Sequence, residues 1–279
     1  MQHHVELLDV SGIAFEIAGI ACRVQCRDRS FLDFLSARYG EFASHAPPRL
    51  SVRVEVTGAW PDDAGAPRAG PFARIGGADG LLSIEGPGFR GEFDERSGHG
   101  WISQPRDPSP LEAFLTAIYA GRLLKAGGFF LHAAGLVGPN GARVCFGPSG
   151  SGKTTVAGLV GEGVISDETV AVRREGLRYR VSGVPWRGCR LSAPLAGLFR
   201  LRKARATSFT PLSPVEALRQ LLPSVLFSRT DLEEMNRFLE IGGEMARRVP
   251  CYEMRFAPDR SFWHALPRLG EGEDHGRPL

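Results

Sequence analysis

One stretch of the chain combines glycines, a lysine and hydroxyl residues at a spacing that suits phosphate binding. Residues 147–154 read Gly-Pro-Ser-Gly-Ser-Gly-Lys-Thr and satisfy the phosphate-loop pattern G-x-x-x-x-G-K-[ST] at every fixed position. Glycines let the backbone turn tightly and aim successive amides at an anion, and a helix beginning near Gly152 adds its positive dipole end. In such a loop Lys153 contacts the β- and γ-phosphates and the Thr154 hydroxyl ligates Mg²⁺. The expected nucleotide contacts form one continuous set: Gly147, Pro148, Ser149, Gly150, Ser151, Gly152, Lys153, Thr154 and Thr155.

The flanks of this loop supply the strand and the helix that the chemistry requires. Residues 142–146 are β-prone, and residues 154–160 combine small and apolar side chains in a pattern typical of a helix. The choice of lysine is also informative, because only three of the 34 basic residues are lysines: Lys125, Lys153 and Lys203. We therefore predict a true phosphate loop, and not a glycine-rich turn that matches by chance.

Two further side chains could take part in chemistry beside this loop. Asp167 follows Lys153 by fourteen residues, at the end of a short apolar strand that we expect to run beside the loop strand. That position suits a carboxylate that binds Mg²⁺ or orients a nucleophile, and a polar strand end or turn over 166–168 is the alternative. His132 ends a strand just before the loop, where a structural role is the alternative to catalysis.

Composition narrows the class of protein. The chain has 279 residues, 43% of them hydrophobic and 23% charged, with a net charge of +3 and no dense basic run, which argues against a nucleic-acid surface. No apolar run is long enough for a membrane span, and residues 1–10 lack the features of a secretory signal. Five scattered cysteines, with Cys22 and Cys26 as the only close pair, do not suit a zinc site and favour a reduced, cytoplasmic protein.

Hydrophobic periodicity predicts a β-rich N-terminal region over residues 1–105, a core over 106–268 and a flexible tail over 269–279. A glycine- and proline-rich long loop or an irregular hairpin connection is expected over 58–80. Strands are expected at 5–10, 13–17, 20–24, 50–56, 81–85, 89–94, near 101, and at 129–132, 142–146, 164–166, 169–173, 177–181 and 249–256. Helices are expected at 31–42, 110–125, 154–160, 214–222, 230–241 and 260–266.

The order of these elements predicts an unusual setting for a phosphate loop. The Gly-Pro-Asn-Gly turn at 138–141 favours an antiparallel hairpin directly before the loop, and Glu175-Gly176 favours another after it. Ordinary phosphate-loop proteins alternate strands and helices into a parallel sheet. We therefore expect an α/β protein of α+β character, with a mixed or antiparallel core sheet.

A phosphate loop on a hairpin, preceded by a histidine strand and followed by an acidic pair, resembles the HPr kinase/phosphorylase family. More distantly the pattern is similar to ATP-dependent phosphoenolpyruvate carboxykinase, and the similarity is best over residues 105–205. The N-terminal half and residues 249–266 look like the divergent HPr-kinase-related proteins, some of which phosphorylate lasso peptides. The resemblance implies a phosphate-loop kinase core of that family's fold.

The resemblance also implies roles for individual residues. His132 stands where the family has an active-site histidine, and Asp167 stands where it has the general base for the attacking hydroxyl. Glu168 replaces a second aspartate, so the implied metal set is Thr154, Asp167 and Glu168.

A later segment departs from the family pattern. Arg187 and Gly188 match the family's Arg-Gly segment, but Pro185 and Trp186 stand where the family carries a metal-binding glutamate, which argues against reversible HPr chemistry. Trp186 and Arg187 are candidate substrate contacts, since an aromatic ring can stack a base and an arginine can grip a phosphate. Packing of the Trp186 ring in the core is the alternative.

Taken together, these patterns predict an ATP-dependent kinase that transfers the γ-phosphoryl group to a hydroxyl, in particular a serine of a peptide or protein. The expected cofactors are ATP and Mg²⁺, and Lys153 is expected to stabilise the transferring group. A small-molecule kinase and a non-catalytic nucleotide-binding accessory protein remain alternatives. The expected partners are a nucleoside triphosphate and a peptide or protein, with no nucleic acid and no membrane. Because HPr kinases form hexamers, a homo-oligomer of this chain is a further possibility.

Overall fold

A computed structural model describes residues 12–58, 74–229 and 231–265. The expected strand at 5–10, most of the expected loop at 58–80 and the tail at 269–279 lie outside these ranges. The chain divides into two compact units, Met1–Tyr119 and Ala120–Leu279. This division lies inside the helix α2 (Pro108–Lys125), whereas the sequence pattern placed it before that helix. Each helix of the described ranges is too short or too polar to span a bilayer.

The first unit contains a seven-stranded mixed sheet. Its strands are β1 (Gly12–Ile17), β2 (Ile20–Cys26), β3 (Leu50–Val56), β4 (Arg74–Gly76), β5 (Leu81–Gly86), β6 (Phe89–Asp94) and β7 (His99–Gln104). Their order is β1-β2-β3-β7-β6-β5-β4, and β3 runs parallel to both of its neighbours. The short strand β4 lies within the segment that the sequence pattern treated as a loop or an irregular hairpin connection.

A helix of this unit, α1 (Arg29–Tyr39), follows β2 directly and continues into a 3-10 turn, Gly40–Phe42. Asp28 caps it, since its carboxylate accepts a hydrogen bond of 2.9 Å from the Phe31 amide and also pairs with Arg106. Four apolar residues of the helix are buried, as its periodicity predicts, whereas Phe34 is exposed: the buried ones are Phe31, Leu32, Leu35 and Tyr39.

The second unit contains a nine-stranded sheet and the phosphate loop. Its strands are β8 (Gly128–Gly138), β9 (Gly141–Phe146), β10 (Val164–Ser166), β11 (Thr169–Glu175), β12 (Arg178–Ser182), β13 (Ser192–Lys203), β14 (Ser208–Pro211), β15 (Val225–Leu226) and β16 (Cys251–Phe256). Its other helices are α3 (Lys153–Val160), α4 (Pro214–Leu221), the 3-10 turn Leu222–Ser224, α5 (Leu232–Arg248) and α6 (Ser261–Ala265).

The loop strand β9 lies where the pairing of the sheet changes from antiparallel to parallel. It pairs antiparallel with β8 through the 138–141 hairpin and parallel with β13, which in turn runs parallel to β16. Both sheets are therefore mixed, and the six helices of the described ranges complete a mixed α/β fold. The expectation of a mixed α/β class with α+β character is confirmed at this level.

Three local expectations differ from the structure. The strand before Asp167, β10, pairs with β8 and not with the loop strand, so that expectation is wrong. The central strand β13 was not among the expected strands, and neither were the shorter strands β14 and β15. The helix α5 continues past its two glycines to Arg248, since Met245 and Ala246 extend its buried face.

Apolar layers cover both faces of this second sheet. On one face, the side chains of β8 and β9 pack with α4 and α5, around Phe129, Phe146 and Phe238. On the other face, β13 and β16 pack with α3 and α6. The phosphate loop connects β9 to α3 and is therefore supported by this second layer.

Candidate functional site

The phosphate loop adopts a backbone that favours glycine at three points. Gly147, Gly150 and Gly152 have φ angles of 150°, 77° and 109°, a positive range that residues with a side chain rarely adopt. A Cβ on Gly152 would also lie 2.5 Å from the ring of the buried Phe256. The loop therefore requires both the conformational freedom and the missing side chain of glycine.

The loop presents several unpaired polar groups. Ser151 donates its amide to the Pro148 carbonyl over 3.1 Å, and α3 begins with a bond from Val156 to the Gly152 carbonyl. Within the described ranges, the amides of Gly152 and Lys153 have no hydrogen-bond acceptor. The Ser151 hydroxyl is buried and also has no partner there. Buried polar groups are normally satisfied, so this set of donors is suited to an anion.

Lys153 places a buried positive charge under the same loop. Its side chain is 7% exposed, and Nζ donates to the carbonyls of Gly147 at 2.9 Å and Pro148 at 3.3 Å. Burial lowers the pKa of Lys153, and the charge of Glu168 offsets part of that effect. Lys153 forms no ion pair with any residue the structure describes, so its charge is available to a bound phosphate.

The acidic pair lies in the turn between β10 and β11, and Ser166 organises that turn. The Ser166 hydroxyl accepts hydrogen bonds from the amides of Glu168 at 3.1 Å and Thr169 at 3.0 Å, and donates to the Arg187 carbonyl. The Glu168 carbonyl accepts from the amide of Ala133 on β8. These bonds hold the backbone on both sides of Asp167.

The segment after β12 closes against the same turn. Ser166 and Gly188 form an isolated bridge, and a Cβ on Gly188 would lie 2.4 Å from the Ile165 carbonyl oxygen, so the close approach requires glycine. Arg187 is consequently brought to Glu168, and the two side chains pair at 3.1 Å. Both are about two-fifths exposed, with 43% for Arg187 and 41% for Glu168.

Trp186 points inward, unlike its neighbour Arg187. Its side chain is 7% exposed and meets the Phe130 ring edge-to-face at a centroid distance of 6.4 Å. This placement favours the packing alternative for Trp186, because a buried ring cannot stack a base that arrives from solvent.

His132 lies on β8 opposite Thr169 of β11, next to the acidic turn. Its side chain is half-buried. Burial lowers its pKa, the positive charge of Lys153 lowers it further, and Glu168 and Asp167 act in the opposite direction. His132 therefore favours the neutral imidazole and shares the electrostatic environment of the loop lysine.

An open groove of about 410 Å³ runs from Thr154, the last residue of the loop motif, to the acidic turn. Its polar and glycine lining consists of Thr154, Gly158, Ser166, Asp167, Arg187, Gly188 and Cys189. Three residues singled out from the sequence, Thr154, Asp167 and Arg187, thus share one surface. Lys153, His132 and Trp186 do not line this groove.

Ser166 was missed by the sequence reasoning, which treated it only as part of a polar strand end. The local pattern does carry a signal, because a serine whose side chain accepts from the second and third following amides is a recurrent turn motif. Its bond to the Arg187 carbonyl, in contrast, depends on the fold.

The residues of this groove fit Mg²⁺ bound together with a nucleotide. No cluster of three or more His, Cys, Asp or Glu side chains suited to a metal occurs in the described ranges. Mg²⁺ does not need one, because it typically uses one or two protein ligands together with waters and substrate phosphates. The exposed Thr154 hydroxyl and the Asp167 carboxylate supply oxygens of that kind.

Comparison with known proteins adds no assignment. No protein-family model matches the chain, and no curated protein matches it either. The geometry of the loop, the acidic turn and the groove is therefore what supports a functional proposal.

Proposed function

We propose that this protein is an ATP-dependent phosphotransferase of the HPr-kinase-like type, which transfers the γ-phosphoryl group to a hydroxyl. The observation that carries the proposal is the groove in which Thr154, at the start of the loop helix, and Asp167 lie together. Phosphoryl transfer needs a polyphosphate cradle and a carboxylate beside it, and Thr154 connects the cradle of the loop to the groove that contains Asp167.

The cradle binds the nucleotide through backbone and lysine. The unpaired amides of Gly152 and Lys153 and the buried Ser151 hydroxyl donate to phosphate oxygens. The buried charge of Lys153 stabilises the negative charge that spreads over the transferring phosphoryl group. The two amides have no acceptor in the described ranges that a nucleotide would have to replace.

When bound, Mg²⁺ would neutralise charge on the β- and γ-phosphates, and Thr154, Asp167 and Glu168 are the residues that would hold it. The chain itself orients the carboxylates of the acidic turn. Ser166 holds the backbone around the two carboxylates, and Arg187 pairs with Glu168.

The transfer step uses Asp167 as the proton acceptor. The acceptor oxygen forms a bond to the γ-phosphorus while the bond from that phosphorus to the β,γ-bridging oxygen breaks, and ADP leaves. The hydroxyl proton passes to Asp167. His132, favoured as neutral imidazole, adds no second positive charge beside Lys153 and can orient a neighbouring oxygen by hydrogen bonding.

The shape of the groove favours a large acceptor. Small-molecule sites usually enclose most of their ligand, whereas this groove is open to solvent along the acidic turn. A serine on a peptide or protein can reach Asp167 there without being enclosed. Arg187, exposed at the edge, is placed to contact such an acceptor.

The test is phosphoryl transfer by the full chain. We would incubate it with Mg²⁺, ATP and, in separate reactions, serine-containing peptides, free amino acids and sugars, and read the products by mass spectrometry. A gain of about 80 Da on a peptide serine, the mass of one phosphoryl group, that is absent with Lys153→Ala would support the proposal. Phosphorylation of only a free metabolite would indicate a small-molecule kinase, and tight ATP binding without any transfer would indicate an accessory protein.

A further inference from the structure

Lys203 ends β13 on the face of the sheet that carries the phosphate loop. Side chains alternate along a strand, and Phe199 and Leu201 are buried in the layer beneath α3, so Lys203 continues the same face. Its register partner on β16 is Phe256, whose ring lies against Gly152. Lys203 Cε itself lies 3.7 Å from the position that a Cβ would occupy on Gly152.

The arginines nearby belong to the opposite face and are paired with a shared carboxylate. Arg200, Arg202 and Arg255 surround the Glu253 carboxylate at 3.0, 3.4 and 3.2 Å. Lys203, in contrast, is exposed and has no ion pair or hydrogen bond through its side chain with any residue in the described ranges. An uncompensated ammonium therefore stands beside the loop amides that present themselves to an anion.

We propose that Lys203 is a second cation of the nucleotide site and contacts the polyphosphate of the bound nucleoside di- or triphosphate. This inference rests on the proposed function. The ammonium group of Lys203 is a compact charge on a flexible side chain, which suits contact with a phosphate oxygen. Two of the three lysines in a chain that otherwise uses arginine, Lys153 and Lys203, thus lie at the same loop.

The experiment measures Mg-ADP and Mg-ATP binding to the full chain by calorimetry, for the wild type, Lys203→Ala and Lys203→Arg. Lys203→Ala should weaken both nucleotides roughly tenfold, the cost of one charge-assisted contact at a solvent-exposed position. It should also flatten the dependence of affinity on salt concentration, because one ionic contact is lost. Lys203→Arg keeps the charge and should restore most of the affinity.

The matched control is Arg255→Ala, which removes one positive charge from the same sheet on the opposite face. The nucleotide affinity of this variant should stay within about twofold of the wild type, since Arg255 lies on the face away from the loop and is paired with Glu253. The inference is overturned if Lys203→Ala binds like the wild type, or if Arg255→Ala loses as much affinity.

The variant Lys153→Ala distinguishes failure of the inference about Lys203 from failure of the proposed function. If the wild type binds nucleotide and Lys153→Ala does not, a neutral result for Lys203→Ala overturns only the inference. If the wild type itself binds no nucleotide, both the inference and the proposed function fail.

Discussion

The guanidinium of Arg187, which lines the groove, lies 3.1 Å from the carboxylate of Glu168. The two residues come from different turns, which the Ser166 hydroxyl joins through the Arg187 carbonyl and the Glu168 amide. The ion pair therefore depends on this connection between the two backbone segments. The connection sets the positions of the Arg187 and Glu168 side chains beside Asp167.

We expect this pair to matter more for the acceptor than for stability. Exposed ion pairs contribute at most about 1 kcal/mol, so Arg187→Ala should lower the free energy of unfolding by no more than that. It should instead raise the KM for a peptide acceptor several-fold. Urea unfolding and steady-state kinetics check the two parts, with Arg190→Ala, another exposed arginine, as the control. An unchanged KM for the peptide acceptor would show that Arg187 does not contribute to acceptor binding.

Asp167→Asn should slow phosphoryl transfer by ~10²-fold or more, because an amide cannot accept the hydroxyl proton. Nucleotide binding should persist through the loop amides and Lys153. Single-turnover kinetics and calorimetry on the same preparation separate the two effects, and Glu162→Gln removes an exposed carboxylate as the control. Full transfer activity in Asp167→Asn would refute the role of proton acceptor.

Gly152→Ala should destabilise the loop and weaken nucleotide binding. The added methyl group would meet the ring of the buried Phe256, and the φ of 109° is strained for any other residue, so a cost of about 1–3 kcal/mol is expected. Gly158→Ala is the matched comparison, since it lies inside α3 with nothing within 4 Å of the new Cβ. It should instead raise the free energy of unfolding by about 0.5–1 kcal/mol. Equal effects of the two substitutions in chemical denaturation would contradict this account.

Ser166→Ala should destabilise the second unit by about 1–3 kcal/mol, because it leaves the amides of Glu168 and Thr169 without their common acceptor in a buried position. Transfer should fall as well, since the carboxylate of Asp167 loses its fixed backbone. Hydrogen exchange should show faster exchange at these two amides. Unchanged exchange there would mean that the hydroxyl does not hold the turn.

His132 should make stability depend on pH. Its pKa is lowered by burial and then by Lys153, so the unfolded chain binds the proton more readily than the folded one. The folded state therefore loses stability as the pH falls through the ordinary histidine range near ~6.5 and on to the lower pKa of the folded state. Urea unfolding between pH 8 and 5, at roughly half-unit steps, should show a smaller loss for His132→Gln than for the wild type. Identical slopes would contradict this assignment.

The sequence by itself determined the phosphate loop and the elements around it. Its glycines fall at the positions where φ is positive, and strand, loop and helix follow one another within about twenty residues, so local conformational preferences suffice. The Asn-Gly hairpin before the loop, which pairs β8 and β9 antiparallel, likewise follows from turn chemistry.

The tertiary structure decided which distant residues meet that loop. Strand pairing is non-local, so the sequence pattern did not indicate that β10 joins β8, or that β13 inserts beside the loop strand and brings Lys203 to Gly152. Neighbouring side chains in one turn also point in opposite directions, which buries Trp186 and leaves Arg187 at the groove. Register and burial depend on the packing of whole layers, and local preferences do not contain that information.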